Sequence, residues 1–536
     1  MQEQRNEYQT RLDKLTALKQ AGIIPYANSF HKTHTIAELI TLWSDEKNLS
    51  DAETLLSKWS WSTYSTAWRV MMYRTHWKLS FATLRDWYGD IQIAFVKNLC
   101  TCMTWHDNLK EISIENKTIS AYKFVEKFID TGDFLWVHGE LFVTKHWELT
   151  LFVNEYQLLS KALRPLWDKW HGIKDEEKLY RQRYLDLTLN NETYQRFLFK
   201  TKFYDALRAF YKKEWFIEIT TWILGNAASG AAAQPFITHH NDYDLDVYLR
   251  IAFEPALKMA TVWRFEKVFE IGKDFRNEGS DPSHLQEFTQ VEHYAAYRNY
   301  KDNMRFTENM FNYLFEQLWL PKTIPIKDKD GKSRMVDRTT PRQKIDYIEW
   351  VKQASNWIDI TQYWMNDADR LREVIKKQWF TRAWIEQQWT TTLIDYLYKK
   401  VLRPTILGPA FVYNYPKTMQ PLARQSDKNP AIVEQFQLVV NGWEIIKAYS
   451  ELVDPTVQAA NFDEQAQAMS QWDQEATSSD DEFLLAMEYG MPPQSWLWMW
   501  LERILALLTG QDNLRDVVLF PLMKPLNDTK NTETDT

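Results

Sequence analysis

The stretch "KVFEIGKDFRNEGSDPSHLQEFTQVEHYAAY", Lys267 to Tyr297, holds side chains of several chemistries at close spacing. Two strand-like runs flank a loop, and Arg276, Glu278, His284, Phe288 and Glu292 alternate so that several share one face of a hairpin. A guanidinium fork beside a stackable ring suits the phosphate and the base of a nucleotide. Taken singly, each of these is a residue on a solvated strand face. Their joint spacing is what points to a site.

A second stretch, "MPPQSWLWMWLERILALLTG", places tryptophans at 496, 498 and 500 just ahead of a Glu-Arg pair and an apolar helical run. Three indoles at alternating positions are bulky for a strand leading into a helix. The composition is odd in the same direction. Glycine normally makes up about 7% of residues, so roughly 38 are expected, yet the chain has 14, while tryptophan numbers 26. The two counts together come close to the glycine expectation alone.

The elements that must position these residues follow from the rest of the chain. At 536 residues there is room for two to four domains with sizeable cores. Hydrophobic residues make up 45% and charged residues 25%, and no apolar stretch approaches the roughly 18 residues a membrane span needs. The N-terminus is a charged amphipathic pattern without the apolar core of a signal peptide, so a cytoplasmic protein with no membrane partner is expected. The net charge of -8 shows no global basic excess, so a nucleic-acid partner has to meet a local patch. Cys100 and Cys102, one residue apart, make neither a four-ligand zinc site nor a disulfide framework and read as ordinary thiols.

Residues 1–62 read as a helical extension. From 63 to 160 short alternating runs such as "RVMMYR", "DIQIAFV", "FLWVHGELFVT" and "ELTLFV" predict a small closed β-barrel, interrupted by the helical "SAYKFVEKFIDTG". From 161 to 526 strands such as "KVFEIGKDF", "EFTQVEHYAAY" and "FQLVVNGWEIIKAYSEL" recur without regular strand-helix alternation, which predicts an α+β domain on an antiparallel sheet. The tail 527–536, "NDTKNTETDT", has almost no apolar content and is expected to be disordered.

The Lys267–Tyr297 segment resembles motif 2 of the class II aminoacyl-tRNA synthetases, and the chain around it resembles the lysyl branch of that family. "PYANSF", "KLSFATLRDWYGDIQI", "WHGIKDEEKLYRQRYLDL", "GAAAQPFITHHN", "YLRIAFE", "AYSEL" and "LRDVVLFPLMKP" follow in collinear order over nearly the whole length. The resemblance implies an N-terminal OB-fold β-barrel that reads an anticodon, then a class II antiparallel-sheet catalytic domain. It implies ATP-dependent ligation of lysine to tRNA(Lys) through a lysyl-adenylate, with ATP and Mg²⁺ required and a homodimer formed through a motif 1 within about 195–235.

By the same resemblance, Phe81, Gln92 and Glu148 fall on anticodon-reading positions. Arg276 matches the arginine on the α-phosphate, Phe288 the ring stacked on adenine, Glu278 an adenine contact, and His284 a triphosphate contact. Arg503 matches the motif 3 arginine on the γ-phosphate. Glu254, Glu292, Tyr294, Tyr449 and Glu451 match the amino-acid pocket. An ε-ammonium with a pKa near 10.4 stays protonated, so these acids favour a lysine substrate over an aspartate. Glu444 and Glu451 match acids that hold magnesium, with Gln437 standing where a third acid is usual. His239 and His240, adjacent on an extended segment, point opposite ways and are not expected to bind metal together.

Several positions depart from the family. Lys447 replaces an asparagine beside the amino acid, "HLQEF" replaces "HNPEF", and "IAFEPALK" replaces "IAPELYLK". Motif 3 ordinarily reads Gly-Gly-x-Gly-x-Gly-x-Asp-Arg, where the backbone passes close under ATP. Ser495, Trp496, Trp498, Trp500 and Glu502 take those places. Trp68, Trp77, Trp136, Trp147, Trp215 and Trp263 also stand at family glycine positions, whereas an aromatic is usual at Trp170. Taken literally, the indoles overpack the pocket and predict a dead site, and a non-catalytic tRNA-binding or regulatory homologue is then the alternative function. UGA codons that some bacteria read as glycine, translated as tryptophan, account for the pattern and leave an active enzyme. An enzyme that lysylates a protein is disfavoured by the barrel region, which such relatives lack.

Overall fold

The computed structural model describes residues 2–44, 63–104, 107–144, 146–166, 175–227, 230–231, 233–327, 332–337, 343–354, 358–363, 367–378, 385–386, 388–420, 422–470 and 481–526. The expected disordered tail, Trp170 and part of the "GAAAQPFITHHN" loop lie outside them. The chain divides into two compact units, Met1–Lys174 and Asp175–Thr536. No described helix is long and apolar enough to cross a membrane.

The first unit begins with helices α1 (Gln2–Gln20) and α2 (Ile36–Ser44) and is dominated by a barrel. Strands β1 (Tyr64–His76), β2 (Leu79–Arg85), β3 (Asp90–Val96), β5 (Phe134–Val143) and β6 (Leu149–Ser160) close on themselves. β1 pairs with β2 and β5, β2 with β3, β5 with β6, and a parallel β3–β6 pairing shuts the ring. The short β4 (Thr101–Met103) extends β6. Alternation sends Val70, Leu84, Ile91, Ile93, Phe95, Leu135, Val137, Leu151 and Val153 inward. Helix α3 (Ala121–Phe128) is N-capped by Ser120 and lays Phe124 and Val125 against that core. Closure depends on Gly139, at a bulge in β5, where a Cβ would stand 1.7 Å from the Phe152 carbonyl oxygen. Cys100 and Cys102 are buried and unpaired, and burial pushes both thiols up to about 12, so they are inert.

The second unit is built on an eight-stranded sheet. In order across it run Ile217–Glu218, β7 (Lys267–Phe275), β8 (Glu287–Ala296), β12 (Gln494–Trp500), β11 (Trp443–Ser450), β10 (Ile432–Val440), β9 (Ala410–Pro416) and Gln343–Asp346. Only the two outermost pairings are parallel. The predicted hairpin "FQLVVNGWEIIKAYSEL" forms β10 and β11, turned by Asn441 and Gly442, both at positive φ as an Asn-Gly turn requires. One face of the sheet packs on helices α4 (Asn191–Lys213) and α6 (Tyr300–Gln317). His293 of β8 marks that side, facing the Tyr211 hydroxyl at 3.0 Å and Asn303 Oδ1 at 3.2 Å. Asn303 also donates to the Trp496 carbonyl at 2.9 Å, pinning β12. The opposite face carries the alternate residues of β8, β12 and β11, and helix α5 (Glu254–Val262) sets its first turn over them. Helix α7 (Leu501–Thr509) runs directly out of β12.

Candidate active site

The period-two pleat brings distant residues onto one face. On β8 these are Phe288, Gln290, Glu292 and Tyr294; on β12, Trp496, Trp498 and Trp500; on β11, Lys447 and Tyr449; on β10, Gln437. Register aligns them across the sheet: Glu292 lies opposite Trp498, Tyr294 opposite Trp496, and Lys447 opposite both Trp498 and Gln437.

At one end lies an acidic pocket. Glu254, Glu292 and Glu451 are buried within reach of one another, with Tyr294 and Tyr449 among them. The Tyr449 hydroxyl donates to Glu254 at 2.6 Å. Lys258, one helical turn after Glu254, is fully buried and places its ammonium 2.7 Å from Glu451 and 3.4 Å from Glu254. Burial works against that ammonium, yet Glu451 and Glu254 hold its pKa above the usual lysine range. Burial pushes Glu451 up to about 8, with Glu254 adding to the effect against the pull of Lys258. Glu292 is raised well above the ordinary value by burial and by Asp274 and Glu254. Glu254 and Glu451 thus share one internal ammonium, and Glu292, held toward its neutral form, ionises when a cation is brought beside it.

At the other end the excess is cationic. Arg276 packs its guanidinium 5.2 Å from the centre of the Phe288 ring and reaches the Ile251 carbonyl. Arg503 donates to the Glu444 carbonyl at 2.9 Å and lies 3.3 Å from His284 Nε2. Burial pulls the pKa of Arg503 down, with Glu444 acting against it and Arg403 and Arg276 adding to the depression. Lys447 is likewise lowered by burial, partly offset by Glu444 and Glu254. His284 is lowered by burial and by Arg503, while Asp281 Oδ2 stands 2.7 Å from its Nδ1. Arg276 thus adds to the depression of both Arg503 and Lys447, and such a crowd of cations marks a place for a polyanion. Glu278 is the outlying member, exposed in the loop.

The indoles occupy the ground between these two ends. Trp500 sits between the Phe288 ring, 4.5 Å away, and the Arg503 guanidinium, 3.9 Å from its own ring. Arg503, expected on the γ-phosphate, forms one wall of an aromatic-sized slot. Trp496 donates to Glu292 Oε2 at 2.9 Å, taking an acceptor of the acidic pocket, and its ring lies 4.5 Å from that of Tyr449, tilted by 34°. Trp498 donates to Gln290.

The donors expected to hold a metal are otherwise engaged. Gln437 Oε1 accepts from the Tyr398 hydroxyl at 3.0 Å and from Tyr415 at 2.8 Å, which uses both its lone pairs. Glu451 is committed to Lys258. Glu444 remains beside Arg503 and Lys447. Among the described residues no three His, Cys, Asp or Glu side chains are arranged around a common metal position. His239 faces Asp246 at 3.0 Å and His240 stacks on Tyr243, so the two histidines do go separate ways.

In the barrel unit the three anticodon candidates share one outer face. Phe81 packs with Leu79, Ala94, Phe142 and Phe152. Gln92 donates to Thr150 at 2.8 Å, and the exposed Glu148 precedes Thr150 by two residues. The sequence reading missed Glu140, opposite Phe152 on the same face, whose carboxyl burial pushes up to about 7. It also missed Lys258 and the tyrosines on Gln437. For Lys258 a signal was present, since Glu-x-x-x-Lys in "EPALK" places both side chains on one helix face.

Comparison with known proteins agrees with this geometry. The family model for tRNA synthetases class II (D, K and N) matches residues 175–524, and that for the OB-fold nucleic acid binding domain matches 66–159. A lysine–tRNA ligase of Carboxydothermus hydrogenoformans is 36% identical over 96% of this chain and 97% of its own length. One from Aquifex aeolicus is 39% identical over 86% of this chain and 73% of its own. One from Thermosipho africanus is 35% identical over 96% of each.

Proposed function

The chain belongs to the class II tRNA synthetases of the D, K and N group and joins lysine to tRNA at the expense of ATP; we propose that the reaction runs through a lysyl-adenylate made on the open face of the eight-stranded sheet. The observation that carries this reading is the charge arrangement around Lys258. Two buried carboxyls, Glu254 and Glu451, share its ammonium, and a third, Glu292, is buried beside Glu254. A substrate bearing an α-ammonium and an ε-ammonium supplies the positive charge against which Glu292 and Glu451 ionise.

The carboxylate of bound lysine attacks the α-phosphorus of ATP in line with the leaving pyrophosphate, forming the acyl-phosphate bond as the α–β bridge breaks. Arg276 stabilises charge that develops on the α-phosphoryl oxygens, and Phe288 with Arg503 holds the adenine between them. His284 and Lys447 line the path of the pyrophosphate. The adenylate carbonyl then accepts a hydroxyl of the terminal ribose of tRNA, and AMP leaves. No covalent enzyme intermediate is needed, so rate comes from positioning and from fixed charge in a dry site. Glu444 would hold a Mg²⁺ arriving with the triphosphate, and the ion would neutralise part of its charge. The double use of Gln437 argues against a resident ion.

Phe81, Gln92 and Glu148 offer an aromatic platform and polar edges to unpaired anticodon bases. Pairing with a second copy is supported by the apolar side chains Ile217, Trp222, Ile223 and Leu224, all exposed within the segment that resembles motif 1. Lysine-dependent exchange of pyrophosphate into ATP tests the proposal, using polypeptide with W496G, W498G and W500G. Exchange with lysine and not with aspartate is expected. Absence of exchange in that folded protein rejects it.

A further inference from the structure

The backbone sorts the tryptophans. About one residue in twenty is tryptophan, yet three of the eleven described non-glycine residues at positive φ are Trp147, Trp215 and Trp319, at 61°, 65° and 52°. In that left-handed region the Cβ crowds the following carbonyl, and among side chains asparagine and aspartate are the usual exceptions, not indoles.

Two of the three end helices in a way the chain elsewhere assigns to glycine. After α1, Gly22 donates to the Lys19 carbonyl and Ile23 to Leu18. After α7, Gly510 donates to Leu507 and Gln511 to Ala506. After α4 the same pair of bonds runs from Trp215 to Lys212 and from Phe216 to Tyr211. After α6 it runs from Trp319 to Glu316 and from Leu320 to Phe315. This is the Schellman termination, whose left-handed residue is ordinarily glycine. Trp147 closes the β5–β6 hairpin, donating to the Thr144 carbonyl at 2.8 Å, at the left-handed turn position glycine also favours.

The side chains contribute nothing there. Trp147, Trp215 and Trp319 are 83%, 84% and 93% exposed. An indole that neither buries area nor suits its backbone has no physical reason to be present. In the active site the fault is opposite in kind. Trp500 fills the slot between Phe288 and Arg503, and Trp496 caps Glu292.

We infer that the codons for Trp147, Trp215, Trp319, Trp496, Trp498 and Trp500 are read as glycine in the cell of origin, so that the native polypeptide has no side chain at these six positions. Two unrelated faults, left-handed backbone on the surface and a filled slot in the site, have this one remedy. The helix and hairpin positions carry the inference independently of function. The part concerning Trp496, Trp498 and Trp500 rests on the proposed aminoacylation.

The test is to read the gene and to sequence, by mass spectrometry, peptides of the protein purified from its own cells. UGA at all six codons and glycine in the peptides are expected. UGG codons, or tryptophan in the native peptides, overturn the inference. A second measurement separates it from the functional reading: chain with glycine at all six positions is assayed for lysine-dependent pyrophosphate exchange against the tryptophan chain. UGA codons with no gain of exchange leave the decoding intact and sink the proposed chemistry. UGG codons with brisk exchange by the tryptophan chain do the reverse.

Discussion

Lys258 and Glu451 form an ion pair of 2.7 Å in which both side chains are inaccessible to solvent. An internal ammonium so placed sets how much positive charge the pocket still accepts. Removing it as K258M leaves Glu254 and, above about pH 8, the ionised Glu451 buried without their partner, and a broken buried pair costs about 3–5 kcal/mol. The midpoint of urea unfolding is expected to fall accordingly. Lysine at high concentration recovers part of the loss, because its own ammonium groups enter the pocket. A variant as stable as the parent contradicts this view of the pair.

The same cluster predicts a pH dependence. Burial raises Glu451 to about 8, so in the empty pocket it stabilises the fold in its protonated form. That contribution is full below the ordinary carboxylate range and is lost as pH rises through about 8. Lysine requires the carboxylate, so its affinity moves the other way, tightening by up to about tenfold per pH unit below 8 for one proton released. Calorimetry of the W496G, W498G and W500G protein in two buffers of different ionisation enthalpy reads the proton directly. E451Q should flatten the profile.

For ATP, the slot between Phe288 and Arg503 predicts a selective loss. F288L keeps an apolar side chain in the core but removes the stacking surface, worth about 1–3 kcal/mol per base. The KM for ATP is expected to rise roughly tenfold or more while the KM for lysine stays near the parent value. A rise in both alike would mean a general disturbance of the sheet.

Gln437 predicts a change in magnesium demand. In Q437E the Tyr398 and Tyr415 hydroxyls that now donate to the amide oxygen have a carboxylate to meet, and its second oxygen is left for a cation. The free Mg²⁺ giving half-maximal exchange is expected to fall severalfold. No change would show that this position does not face the triphosphate.

The barrel predicts a split between half-reactions. F81A removes the aromatic at the centre of the cluster with Ala94, Phe142 and Phe152. Transfer to tRNA should weaken by about 1–3 kcal/mol in KM, with pyrophosphate exchange unchanged. Loss of exchange in this variant would remove Phe81 from anticodon reading.

W215G and W319G should each stabilise the chain by about 1–2 kcal/mol, the cost of a left-handed L-residue. Phe210 and Lys213 at one helix end reach the Tyr313 ring at the other, so the double variant is expected to differ from the sum of the singles. Thermal unfolding of the single and double variants checks both statements.

Much of this was legible in the chain itself. Short apolar runs in "FLWVHGELFVT" and "FQLVVNGWEIIKAYSEL" determined strands, though not which face each buries, since both faces of these strands are largely covered in the fold. The Arg276–Glu292 segment announced its hairpin by spacing alone. What the linear order did not contain was the meeting of β8 with β11 and β12, which follow it by about 150–200 residues and adjoin it only through long-range pairing. That pairing decided that Trp500 lies beside Phe288, while the packing of α5 decided that Lys258 meets Glu451, and the packing around β10 that two tyrosines claim Gln437. Backbone sign was likewise invisible: a tryptophan has the same letter at positive or negative φ, and only the folded helix ends showed which of them stand where a Cβ is unwelcome.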